Sequence, residues 1–560
     1  MLYAVSGLLT AIITGPLFGN YLLYRDAVAV PRFPLTAAAF GIDGGTPRAV
    51  PQDAVLGLAS RIVDGGWLVA LLTAAALFGA GIGFGKLAQR LVPRAGGAGA
   101  IAGAVVGIWN PFVAERLLQG QWSLLIGYAV LGPVILTVSG LADQHDSERS
   151  RRRGLVVLAG LFAVAGFTPT GSMLALIAAA VAAVVVRPDA RTTLVAALAW
   201  LVTVSPWLVG AVVSNDAGSS GGAGAFALRA EPGLGSLGTA LGLGGIWNAD
   251  AVPGSRASWW AAVATVTFLA VMVAGSIDLF RRRSGSERII AAPIVLAAVT
   301  VIVALAATGP GIDVMDVLLH HVPGAGLFRD TQKYLALAVP FGATAAAAAV
   351  AWLRTWVPAG FAIVMVAVPI IAPLPDLAWG VGGGMRPVAI PDDYTQVTAA
   401  IGADPSGRNG SVAVWPTDTV RQLSWTEHRS LSPLTRMADA PVIYGGVLVV
   451  DGERLDVPTG RTADVLRVLE SGADPTALAR LGVGWVVIEE AAAPALLSSG
   501  ADEVFTGPHV SLFRIPGASA APSPGAGVWA AAIAALTLWF GAVVAGAVAA
   551  ATGVRERLRR

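Results

Sequence analysis

The chain has 560 residues, a net charge of +2, no cysteine, 13% charged residues and a mean hydropathy of +0.70. Soluble domains carry about 25% charged residues, so water is not the main solvent of this chain. The missing cysteines exclude disulfides, thiolate metal sites and cysteine nucleophiles, and the near-zero net charge gives no basis for bulk binding of nucleic acid.

A membrane helix needs about 20 apolar residues. Stretches of that kind are expected near 3–22, 66–85, 95–113, 122–141, 154–168, 172–186, 193–213, 257–277, 289–307, 334–353, 357–373 and 526–551, about twelve in all. The first lacks the basic flank and small-residue cleavage site of a signal peptide and reads as a retained helix. "GAGIGFGK" (79–86) lies inside an apolar span, without the strand that a nucleotide loop requires.

Lys and Arg accumulate in cytoplasmic loops. Alternate loops hold Lys86, Arg90 and Arg94; Arg149 and Arg151 to Arg153; Arg187 and Arg191; Arg281 to Arg283 and Arg288; Arg354; and the tail with Arg555, Arg557, Arg559 and Arg560. Both termini are therefore expected in the cytoplasm of a multi-pass plasma-membrane protein. Loops 23–65, 114–121, 214–256 and 308–333, with segment 374–525, are expected outside. The 374–525 segment has ordinary polarity. Its alternating runs "SVAVWP" (411–416), "APVIYGGVLVV" (440–450) and "GWVVIEE" (484–490) are interleaved with helix-like "TADVLRVLESG", capped by Thr462, and "DPTALARLG". That pattern predicts a small α/β domain. The division is thus 1–373 membrane domain, 374–525 extracytoplasmic α/β domain, and 526–560 terminal helix with a basic tail. The Gly/Ser-rich loop from Ser214 is expected to be mobile.

Charges beside membrane spans mark function or a specific pairing. The loops assigned to the outside hold Arg25, Asp26, Asp43 and Asp53; Glu115, Arg116, Gln119 and Gln121 in "WNPFVAERLLQGQW"; and Asp313, Asp316, His320, His321, Arg329, Asp330 and Lys333. A carboxylate at the membrane surface can act as general base toward a sugar hydroxyl. Arginine and lysine can hold a phosphate there.

At these residues the chain resembles the GT-C class of integral-membrane glycosyltransferases, which use polyprenyl-phosphate sugars. It is most similar to the actinobacterial arabinofuranosyl- and mannosyltransferase-like proteins. The resemblance rests on the acidic residue opening the first outer loop (Asp26), "NPFVAERLLQGQWSLLIGY" (110–128), "FRDTQKYLAL" before a late helix, and the α/β domain before the last helix. It implies a mainly α polytopic fold with Asp26 as catalytic base; Arg329, Lys333 or Arg25 would then hold the donor phosphate. Asp53, Glu115, Arg116, Gln121, Asp330 and His321 are further candidates for substrate contact. The implied partners are a polyprenyl-phosphate sugar donor, carrying arabinofuranose or mannose, and a glycan or glycolipid acceptor. Where many members carry a paired acidic motif, this chain has Arg25-Asp26. A divalent cation held by Asp26 and a second loop carboxylate is compatible with these residues. Adjacent His320 and His321 point apart on a helix and do not make a metal pair.

Blander readings compete. Asp26 can be a solvated charge at a helix end, Glu115-Arg116 a structural ion pair, and Asp330 a carboxylate favoured by the start of the helix near Thr331. At the level of the whole chain, the alternatives are a lipid transporter or flippase and a non-catalytic envelope-assembly protein on the same scaffold.

Overall fold

A computed structural model of the chain describes every residue except 143–146, 215–220, 282–287, 404–409, 451–452, 473 and 560. The expected basic residues Arg282, Arg283 and Arg560, and the first part of the Gly/Ser-rich loop, lie outside the described residues.

The structure is a mainly helical, polytopic membrane protein with one segment that carries a five-stranded sheet. Among the described residues, eight helices are long and apolar enough to cross a membrane, and ten if each of two bent pairs counts as one span. The pairs are Ala190–Thr203 with Ser205–Val213, bent by 57°, and Ala359–Ile371 with Pro375–Gly382, bent by 81°. The two remaining expected spans are also helices. Leu2–Thr14 with its 3₁₀ extension to Leu17 is short for a span, and Glu148–Ala165 begins in charge, "ERSRRR".

The glycines of 79–86 work as packing surface inside the helix Gly65–Leu91. A Cβ on Gly81 would fall 2.6 Å from Ser6 Oγ, one on Gly83 2.8 Å from Pro133, and one on Gly85 2.7 Å from the Ala100 carbonyl. Missing side chains thus let three neighbouring helices approach one central helix.

That helix also gives the bundle two distinct ends, about 40 Å apart at 1.5 Å per residue. At its start, the Gly65 amide donates to Pro31 O at 3.0 Å, in the segment that carries Asp26. Beyond its far end, Arg94 pairs with Asp278, in the last turns of Trp260–Arg281. There Arg354 donates to Ala95 O at 2.9 Å, and Arg151 lies 3.6 Å from Asp189. The basic loops therefore gather at one end and Asp26 lies at the other.

The sheet segment builds a five-stranded sheet in the order Asp502–Thr506, Val510–Arg514, Val483–Glu489, Ser411–Trp415, Val442–Ile443. Ser411–Trp415 runs parallel to both of its neighbours, and Val510–Arg514 runs antiparallel to both of its own. Both faces are covered. Val465, Leu469 and Leu478 pack on one, from helices Gly460–Ser471 and Pro475–Arg480; Tyr394, Val397 and Ile401, from Asp392–Ala403, pack on the other. The run expected as a single strand over 440–450 is broken at Gly445, where a Cβ would lie 1.7 Å from Thr417 O. The helix expected to be capped by Thr462 starts earlier, with Thr459 at its N-cap position.

Candidate active site

Asp26 does not end a helix. After the first helix the chain forms a minimal hairpin, Leu23–Tyr24 against Ala27–Val28, in which Arg25 and Asp26 are the two turn residues. Two-residue hairpins need positive φ at the turn, and Arg25 supplies it at 50°. A third chain segment stitches onto the turn: the Arg25 amide donates to Arg429 O at 2.9 Å, and the Leu431 amide to Arg25 O at 3.2 Å. The Asp26 side chain is exposed.

The segment after "NPFVAERLL" clasps this turn. Asn110 caps the helix Pro111–Leu118 by accepting from the Val113 amide at 3.0 Å, with Pro111 at its first position. Glu115 and Arg116, expected in a loop at 114–121, therefore lie in a helix and are fully buried. Gly120 follows at φ +81°, and a Cβ there would sit 2.4 Å from the Ala27 nitrogen and 2.5 Å from Tyr24 O. Only glycine allows this approach. It brings Gln119 Nε2 to 3.3 Å and Gln121 Nε2 to 3.1 Å from Asp26 Oδ2, while the Asp26 amide donates to Gln119 O at 3.2 Å. Asn248 in turn holds Gln119, donating to its Oε1 at 2.8 Å.

Gln121 links Asp26 to a buried charge network. Arg116 Nη1 donates to Gln121 Oε1 at 2.7 Å and to Asp330 Oδ2 at 2.9 Å, and Nη2 donates to Gln332. Gln332 donates to Glu115 Oε2 at 2.7 Å, and Glu115 also accepts from the amides of Gly245 and Ile246 at 2.9 and 3.1 Å. Lys333 Nζ lies 3.7 Å from Asp330, partly exposed, within charge range of Asp26, Arg116 and Arg329. Asp330 Oδ1 and Arg116 Nε are buried with no partner among the described residues.

The other sequence candidates have partners of their own. Asp53 accepts from Arg436 Nε at 3.0 Å, tying the first loop to the sheet segment, and Asp43 is an exposed turn residue. His321 closes the exposed helix Gly309–His321, and its Nδ1 contacts Val317 O of its own helix at 2.8 Å. Arg329 is bound by Asp456 at 2.8 Å. Arg25 donates to the carbonyls of Leu118 and Asp250 and stacks over Tyr24 at 4.7 Å. Sequence reasoning missed Asn248 and His428, whose ring sits 5.0 Å from that of Tyr24; each arrives from a loop with no local signal.

The side-chain contacts at Asp26 are amide donors rather than further carboxylates. Asp26 Oδ2 faces two amide N–H groups, and among the described residues no three His, Asp or Glu side chains converge as ligands. The arrangement presents an oriented, solvent-facing carboxylate with a lysine within charge range, at the end of the bundle away from the basic loops.

The fold has a known counterpart. A cryo-EM structure of the arabinofuranosyltransferase AftD from Mycobacteria (mutant R1389S, class 2) aligns with 92% of this chain at a TM-score of 0.53 and 16% identity. The chain has the fold of a GT-C integral-membrane glycosyltransferase. It spans 41% of that larger protein. ArnT from Cupriavidus metallidurans also aligns, over 93% of this chain and 98–99% of its own, at a TM-score of 0.36. Identity is 14% for the apo state and 13% for the form bound to undecaprenyl phosphate. No protein-family model and no curated protein matches the sequence.

Proposed function

We propose that the chain is a membrane glycosyltransferase that moves a sugar from a polyprenyl-phosphate donor to a cell-envelope glycan or glycolipid. Arabinofuranose is the favoured sugar, because the matched mycobacterial structure is an arabinofuranosyltransferase; mannose is the alternative. The Asp26 end of the bundle faces outward, a reading supported by the basic loops gathered at the opposite end. The observation that carries the proposal is the clasped Asp26 turn, an exposed carboxylate aimed by Gln119 and Gln121 and linked through Gln121, Arg116 and Asp330 to Lys333.

In this mechanism the acceptor hydroxyl gives its proton to Asp26, and its oxygen attacks the anomeric carbon. The bond from that carbon to the phosphate oxygen breaks, and polyprenyl phosphate leaves with the electron pair. One displacement inverts the anomeric centre. Gln119 and Gln121 hold the carboxylate in line, and Lys333 faces the phosphate charge that grows as the bond breaks. Glu115, Arg116, Asp330 and Gln332 fix these groups from beneath. The clustering of ionisable groups at one end favours this reading over a transporter, which needs them at mid-span.

The test is transfer by purified Asp26→Asn in lipid nanodiscs. The expected loss is about 10²-fold or more, with undecaprenyl phosphate still bound. Transfer at the wild-type rate would remove Asp26 from the role of base.

A further inference from the structure

We propose that Asp456 is an internal counter-anion that occupies Arg329 in the empty site and exchanges with the phosphate of the lipid. The inference rests on the lipid-phosphate reading above and adds a control on it.

Two of the cations near Asp26 are already committed. Arg116 is wholly buried against Gln121, Asp330 and Gln332, and Arg25 is directed into backbone carbonyls. Lys333 leans on Asp330 at 3.7 Å. Arg329, one residue before Asp330 and within charge range of Lys333, presents both terminal nitrogens to an anion. Its Nη1 and Nη2 meet Asp456 Oδ1 and Oδ2 at 2.8 and 3.1 Å. Arg48 reaches the same Oδ2 at 3.1 Å from a different loop. Two guanidinium groups converging on one shielded anion is also the arrangement that binds phosphate oxygens.

Two features suit this pair to exchange. Arg329 is stacked on Phe226, its guanidinium carbon 3.9 Å from the ring centre, so the ring holds the fork in place independently of the anion. Asp456 follows the short strand Glu453–Leu455 directly and stands at φ +53°, a turn conformation that aspartate tolerates, so its carboxylate is carried on a turn rather than inside the sheet.

The competition is unequal for donor and product. The sugar donor is a phosphodiester carrying a single charge, like the carboxylate. Polyprenyl phosphate is a monoester whose second ionisation lies near pH 6, so it carries close to two charges at neutral pH. Arg329 therefore favours the product, and the returning carboxylate of Asp456 opposes that retention.

The experiment measures undecaprenyl phosphate binding to the full-length protein in nanodiscs. Asp456→Asn should bind on the order of tenfold more tightly than wild type. The gain should vanish when Arg329→Gln is added. Asp456→Ser serves the same purpose if the asparagine variant does not fold. Unchanged or weaker binding in a folded Asp456 variant overturns the inference, as does an equal gain in the Arg329→Gln background. Failure of wild type to bind the lipid at all overturns the donor reading itself, and the exchange with it.

Discussion

Arg116 and Asp330 carry no exposed charge, yet they hold the exposed one in place. Breaking a buried ion pair by removing one partner costs about 3–5 kcal/mol, because the other is left uncompensated. Arg116→Ala should therefore lower thermal stability in detergent by several degrees or prevent insertion, whereas Asp26→Asn should leave the melting temperature unchanged. Equal melting temperatures for Arg116→Ala and wild type would contradict the network. Burial alone would raise the Asp330 carboxyl, but Arg116 and then Lys333 outweigh it and hold it below the ordinary value. A depressed carboxylate stabilises fully above its unfolded value of about 3.9, and that contribution is lost as pH falls through the lower native value. The stability gap between wild type and Asp330→Asn should thus persist down to about pH 4 and close only below it. Closure near neutral pH would show that another group carries the effect. At this scale the sequence was informative about identity: Asp26, Gln121, Arg116, Asp330 and Lys333 do meet. It did not separate the exposed carboxylate, Asp26, from the buried Glu115 and Asp330, because burial depends on packing that no local pattern encodes.

The element that decides the site is the hairpin at Tyr24–Ala27, clasped by Gly120. The sequence showed an apolar run ending in two charges, which reads as a helix end. Its strands are two residues long, too short for alternation to register. The third partner of the turn, Ser430, comes from a segment about four hundred residues later. Non-local pairing of this kind leaves no periodic signal. Gly120→Ala is the sharpest probe of the element. Its Cβ would strike Ala27 N and Tyr24 O and occupy a positive φ, pushing the Gln119 and Gln121 amides off Asp26. Transfer should fall at least tenfold, with undecaprenyl phosphate still bound; the loss corresponds to about 1.4 kcal/mol or more of transition-state stabilisation. An active Gly120→Ala would mean that the clasp does not position the base. The helix Pro111–Leu118 was legible in retrospect from Asn110-Pro111, a cap followed by a favoured first residue.

At the scale of the whole molecule, composition alone made a polytopic membrane protein readable, and the alternation in 374–525 made a small α/β unit readable. The number of spans was less so, since bends within Ala190–Val213 and Ala359–Gly382 and the charged start of Glu148–Ala165 blur the count. The proposed orientation makes a direct prediction, and the absence of cysteine makes it clean to test. A cysteine at exposed Val449 should react with a membrane-impermeant maleimide on intact cells. One at exposed Arg149 should react only after permeabilisation. The reverse pattern would put the Asp26 end in the cytoplasm and remove the lipid-sugar chemistry proposed for it.

The central claim is that one end of this bundle joins a lipid phosphate to the Asp26 carboxylate. A structure of the protein with a polyprenyl-phosphate sugar bound tests it most directly. The account predicts the phosphate within ion-pair distance of Lys333, about 4 Å or less, and the anomeric carbon facing Asp26. A phosphate seated at the opposite end, against Arg90 and Arg94, would contradict it.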